Sequence, residues 1–299
     1  MAADNCFCDD VATLDLSDRI EYAMLLPLRI FAVLGLACAS IVFSRNAIAQ
    51  QQVDLELVLA VDISRSMDVE EQRLQRNGYV SALRHPRIIR AIETGLRGKI
   101  AFAYMEWAGK DFQSVVIPWR IIANASDANA VANELAARPI AREKRTSISS
   151  ALLAAASLIT NNKIESLRQV IDVSGDGPNN QGLPVKQVSR KVIAKGIVIN
   201  GLPFVIERPP GPSSFFAVPD IDRYYSECVI GGTNSFVMPV TDKNEFATAI
   251  LRKLLLEIAG TPIVPHRTLS PVHKVQYTTK RAAYDCLSGE KKWNDFQNE

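Results

Sequence analysis

From residue 53 to residue 260 the hydrophobic positions alternate between blocks that read as buried strands and stripes that read as helices. Asp54 to Val61 is nearly all apolar, the pattern of a strand covered on both faces. Leu74, Gly78 and Ala82 recur at helical spacing, with Tyr79 and Leu83 beside them. His85-Pro86 interrupts that stripe, and Ile88, Ile89 and Ile92 begin a second one. Ile100 to Trp107 and Phe112 to Ile117 read as strands joined by Ala108-Gly109-Lys110-Asp111, a link short enough for a hairpin. Pro118 is expected to end the second strand at a sheet edge, because it has no N–H for a ladder. A helix over about Asp127 to Ala137 precedes another that opens at Thr146 and runs through Ile148, Leu152, Ala155 and Ile159. Strand Gln169 to Val173, helix Pro184 to Lys195 and strand Ile197 to Gly201 follow. Ser235 to Val240 is the last strand candidate, and Phe246, Ile250, Leu254 and Ile258 step by four along a final helix. The alternation predicts an α/β fold. Its sheet is doubly wound and mostly parallel, with one antiparallel edge strand and helices on both faces.

The ends of the chain read differently. Arg29, the apolar run Ile30 to Phe43 and the sequence Ala47-Ile48-Ala49 are the three parts of a secretory signal peptide. The run is short for a bilayer span, which needs roughly 20 apolar residues. An uncleaved membrane anchor is the alternative. Asp4, Asp9, Asp10, Asp15, Asp18 and Glu21 make an acidic leader where a signal peptide wants a basic one. Met24 is therefore the expected start, with 1–23 an over-extension, 24–49 the signal peptide and 53–260 the folded domain. Residues 261–299 are polar, carry prolines and lack periodicity, and are expected to be largely disordered. Export to the periplasm or beyond is the expected localisation. Cys228 and Cys286 then either pair, as an exported protein allows, or remain free thiols.

Composition removes several function classes. The chain has 34 basic and 32 acidic residues, a net charge of +2, and no basic cluster that suggests nucleic acid. His85, His266 and His273 are scattered, so a zinc site or a His-based triad has little support.

Three segments converge on one chemistry. Asp62-Ile63-Ser64-Arg65-Ser66 follows the first strand at its C-terminal end, and Asp176 follows the strand ending at Val173. In open α/β sheets, ligands bind beyond the carboxyl ends of strands where the winding reverses. Asp62 and Asp176 would share that crevice with Thr146 between them. A carboxylate and hydroxyls at alternate positions are hard oxygen donors suited to Mg²⁺, with Mn²⁺ or Ca²⁺ as substitutes. The competing reading makes Ser64, Ser66 and Thr146 ordinary helix caps.

Asp62, Ser64, Ser66, Thr146 and Asp176 together resemble the metal-ion-dependent adhesion site of von Willebrand factor A domains, over roughly residues 53–260. The stretches Tyr104-Met105-Glu106-Trp107, Val170-Ile171-Asp172-Val173-Ser174-Gly175-Asp176 and Cys228-Val229-Ile230-Gly231-Gly232 are similar to an exported bacterial A-domain family of unknown function. The resemblance implies a Mg²⁺ ion held by these five residues and completed by an Asp or Glu carboxylate from a partner protein. Ser149 departs from it, since the family tends to have Gly there. Asn179, Asn180, Phe215 and Phe216 are further candidates for meeting the partner, with a turn role for the asparagines and a core role for the phenylalanines as alternatives.

The expected function is a non-catalytic, Mg²⁺-dependent protein-binding module with no small-molecule cofactor. A metal-dependent phosphoester hydrolase is the alternative from another class; its only nearby carboxylates for a general base are Asp172 and Glu106. A scaffold with a structural or vestigial metal site is the third.

Overall fold

The structure, a computed structural model, describes residues 51–205, 218–260 and 282–298. In chain order these form β1 (Gln51–Asp62), α1 (Val69–Leu83), α2 (Pro86–Glu93), β2 (Ile100–Trp107), β3 (Gln113–Ile122), α3 (Ala125–Ala137), α4 (Ile148–Thr160), β4 (Ile164–Gly175), α5 (Val185–Ile193), β5 (Val198–Pro203), a short α6 (Ile221–Tyr224), α7 (Phe246–Ala259) and α8 (Ser288–Asn298). The sheet order is β3-β2-β1-β4-β5. Neighbours are parallel except at the β2–β3 hairpin, so the predicted doubly wound sheet with one antiparallel edge is what the chain forms.

β1 shows why. Leu55, Leu57, Leu59 and Val61 enter a core with α1, α2, α3 and α7, while Val58 and Ala60 enter a second core with α4 and α5. A strand with both pleat faces covered reads as a continuous apolar run, which is the pattern of its sequence. The winding reverses at β1, which pairs with β2 on one side and β4 on the other. The loops after β1 and β4 therefore leave the sheet side by side at the switch point.

Some expectations needed correction. β3 runs past Pro118 to Ile122, and its pairing with β2 is irregular around Tyr104 opposite Ile117. On an edge strand that irregularity absorbs the missing N–H without ending the ladder. Ser235 to Val240 does not form a regular strand; it meets β5 and the residue after it through isolated bridges, Gly201–Val237 and Phe204–Val240. Part of the segment expected to be disordered is folded: Cys286 is bonded to Cys228, and α8 follows it. Covalent attachment supplies the order that the polar sequence does not advertise. The segment expected to be a signal peptide, Phe215 and Phe216 lie outside the described residues. Among the described residues, no helix is long and apolar enough to cross a membrane.

Candidate metal centre

Asp62 ends β1 fully buried, and its Oδ1 accepts the backbone N–H of Ser64 at 2.7 Å. This turns the chain so that Ser64 and Ser66 face the same way, with their hydroxyl oxygens 2.7 Å apart. Ser66 Oγ donates to Asp176 Oδ1 at 2.6 Å, which joins the loop after β1 to the loop after β4. The loop leading to Thr146 is tied in by its backbone: Arg65 N donates to Glu143 O at 2.9 Å and Glu143 N donates to Ile63 O at 3.0 Å. Arg142 adds side-chain donation to the carbonyls of Arg65 and Met67 at 3.1 and 2.6 Å. Thr146 is itself held to Asn180, whose Oδ1 accepts the Thr146 N–H at 3.0 Å. The fold thus collects Asp62, Ser64, Ser66, Thr146 and Asp176 at three adjoining loops.

The helix-capping alternative fails at each position. α1 is capped by Asp68, which exchanges hydrogen bonds with Glu71 at 2.7 and 2.9 Å in a capping box. α4 is capped by Ser147, not Thr146. The hydroxyls of Ser64, Ser66 and Thr146 are not used as caps.

Electrostatics set the site apart from a satisfied turn. Asp62 Oδ2 is buried and has no hydrogen-bond partner. Burial first, and the charge of Asp176 second, push the Asp62 carboxyl well above the usual carboxylate range. Behind it lies the buried Tyr225, whose hydroxyl is also without a partner and is pushed up by burial and then by the charges of Asp62 and Asp176. Two carboxylates and two hydroxyls converge, and among the described residues no cluster of three His, Cys, Asp or Glu competes as a metal site. A hard divalent cation fits this donor set, since it would neutralise the paired charges and give the orphan oxygen a partner.

Gly175 has a definite job here. A Cβ at this position would lie 2.8 Å from both Asp62 Oδ2 and the Tyr225 hydroxyl. Gly175→Ala is expected to cost about 1–3 kcal/mol by overpacking. Chemical denaturation measures this, and an unchanged midpoint would show slack behind Asp62.

The asparagines turn out to be ties between loops. Asn179 is fully buried; its Oδ1 accepts the Ser149 N–H at 2.9 Å and its amide donates to the carbonyls of Gln181 and Leu183. Ser149, the departure noted in the sequence, tucks its hydroxyl towards Gly182, where a Cβ would meet it at 2.8 Å. Asp172 and Glu106 are both engaged elsewhere. Asp172 pairs with Lys253 at 2.7 Å on the opposite core face, and Glu106 pairs with the buried guanidinium of Arg76. Sequence reasoning missed Tyr225 and the disulfide-linked segment behind these loops. Cys228, three residues along from Tyr225, and Cys286 pointed there as a possible pair.

The doubly wound sheet, with these loops at its switch point, has the von Willebrand factor A-like fold. Residues 52–262 match the family described as protein of unknown function (DUF1194), and the chain belongs to that family. No curated protein matches it. Among solved structures it is similar to the pilus adhesin SpaC from Lactobacillus rhamnosus GG, with 11% identity, a TM-score of 0.53, and coverage of 70% of this chain and 31% of that one. It is also similar to proximal thread matrix protein 1 from the mussel byssus, solved with a zinc-occupied MIDAS motif: 14% identity, TM-score 0.50, covering 70% and 49%. A von Willebrand factor type A protein from Catenulispora acidiphila has 13% identity and a TM-score of 0.46, covering 69% and 43%. The chain thus spans half or less of these proteins.

Proposed function

We propose that this chain is an exported, non-catalytic protein-binding module that holds Mg²⁺ through Asp62, Ser64, Ser66, Thr146 and Asp176. The observation that carries the reading is the buried, partnerless Oδ2 of Asp62 beside Asp176 and two mutually bonded serine hydroxyls. When bound, the ion supplies an electrophilic position for a partner's Asp or Glu carboxylate. The chain's own residues do the rest. Asp62 and Asp176 provide charge, the hydroxyls provide neutral oxygens, and the Thr146–Asn180 tie keeps the third loop in place. The mussel protein with zinc in its MIDAS motif supports a divalent ion in this kind of loop arrangement. The engagement of Glu106 and Asp172 by Arg76 and Lys253 supports a non-catalytic role, since neither is left to act as a general base. The Cys228–Cys286 disulfide supports an oxidising compartment, consistent with the signal-peptide pattern.

Isothermal titration of the chain with Mg²⁺ and Mn²⁺ tests this. Saturable one-site binding is expected. No binding at millimolar metal would leave a scaffold with a vestigial site.

A further inference from the structure

The segment 282–298 lies outside the matched family region, yet it is built against the metal-site loops. Glu290 Oε1 accepts the side-chain amide of Asn179 at 2.8 Å, three residues beyond Asp176. Gly289 packs so closely that a Cβ there would meet the Asn179 carbonyl oxygen and, at 2.9 Å, the ring of Pro178. On the other loop, the Arg145 guanidinium stacks 3.5 Å from the centroid of the Trp293 ring. Arg145 directly precedes Thr146 and is held at a φ of 75°, a conformation a non-glycine residue adopts only under local constraint. One turn of α8 and the next thus contact both the Asp176 loop and the Thr146 loop.

The attachment is covalent at one end. Cys286 is bonded to Cys228, which lies in the same turn as Tyr224 and Tyr225. Tyr284 reinforces it: its N–H donates to Glu227 at 2.8 Å and its ring packs edge-on to Tyr224. Beyond the disulfide, α8 is held by polar and stacking contacts, with Gly289 as its only buried residue. Elements with so little buried surface open at small free-energy cost. A tether keeps an opened segment at high local concentration, so it returns readily.

We propose that 282–298 is a disulfide-tethered strap that occupies the approach to the metal site and competes with an external carboxylate ligand. It rests on the metal-site reading above. The strap carries a carboxylate of its own, Glu290, bonded to Asn179 in the loop that Asp176 opens. Four of the five site residues are nine-tenths or more buried. A strap closed in most molecules weakens the apparent affinity for an outside ligand in proportion to the open fraction.

The test uses the full chain, the Trp293→Ala variant, and the Cys228→Ser, Cys286→Ser double variant. Mn²⁺ is the metal probe, followed by electron paramagnetic resonance for occupancy. Water-proton relaxation by the bound ion is then titrated with the end-blocked tripeptide Gly-Glu-Gly. Mn²⁺ is expected to occupy all three proteins, and the peptide to bind both variants about tenfold more tightly than the wild type. Trp293→Ala keeps the disulfide, so it carries the test if the cysteine variant folds poorly. Equal peptide affinity in all three proteins would overturn the strap and leave the metal site standing. Absence of Mn²⁺ from every protein would overturn the metal-site reading and the strap with it.

Discussion

Lys253→Met is expected to lower the stability of the domain by about 3–5 kcal/mol, the range for removing one partner of a buried ion pair. Lys253, Asp172 and Glu257 are all buried between α7 and the sheet. Lys253 Nζ is 2.7 Å from Asp172 Oδ1 and also bonds Glu257, which further accepts from Asn200 at 3.0 Å. Methionine fills the lysine's volume but strands two carboxylates in an apolar layer. Adding Asp172→Asn and Glu257→Gln to Lys253→Met should recover part of the loss, because it removes the two stranded charges. Urea denaturation of the single and triple variants decides the matter. Equal midpoints for the single variant and the wild type would show that the cluster is solvated.

The same cluster predicts a pH dependence. It holds two acids for one base, and the Glu257 carboxyl is pushed up to about 7, by burial first and then by Asp172, against Lys253 and Asn200. The ordinary value is 4.5. Between these two values the folded chain keeps a proton that the unfolded chain has released. Stability from this group is therefore full below the lower value and lost as pH rises through the upper one. Glu257→Gln is expected to flatten that slope in denaturation series run across the window. An unchanged slope would assign it to other groups.

How much of this was legible in the sequence depends on what each feature is made of. The fold was readable because β1 is buried on both faces from Val53 onward, so burial is written as a run from Leu55 to Val61 that is apolar but for Glu56. The convergence of Asp62, Ser64, Ser66 and Asp176 was readable because short loops at strand ends place their side chains with little freedom. Lys253 and Glu257 left a fainter mark, a charged pair at i and i+4 on the stripe that Ile250, Leu254 and Ile258 define as buried. Asp172 inside an apolar strand was its counterpart, and reading the two together would have suggested the cluster. Of the strap, only the possible pairing of Cys228 with Cys286 was legible. Its order comes from a disulfide spanning 58 residues and from contacts of a polar helix, and neither produces hydrophobic periodicity.

Asp62→Asn is expected to act in opposite directions on metal binding and on metal-free stability. Asparagine keeps the oxygen that accepts the Ser64 N–H, so the turn should survive. It removes a charge that is fully buried, lies near Asp176 and has one oxygen without a partner. With EDTA present, the variant should be more stable than the wild type by on the order of 1–2 kcal/mol, because an uncompensated buried carboxylate is unfavourable. Affinity for Mg²⁺ and Mn²⁺ should fall more than about a hundredfold, beyond what changes outside the direct ligands produce. Metal at a hundred times its dissociation constant stabilises a folded protein by about 2.7 kcal/mol, and the variant would forgo this. The order of the two proteins in a thermal melt should therefore invert between EDTA and saturating Mg²⁺. An inversion is hard to obtain from a simple packing defect, which would lower the variant's melt under both conditions. If Asp62→Asn is less stable with EDTA as well, the carboxylate is satisfied by the protein itself and the site needs no ion.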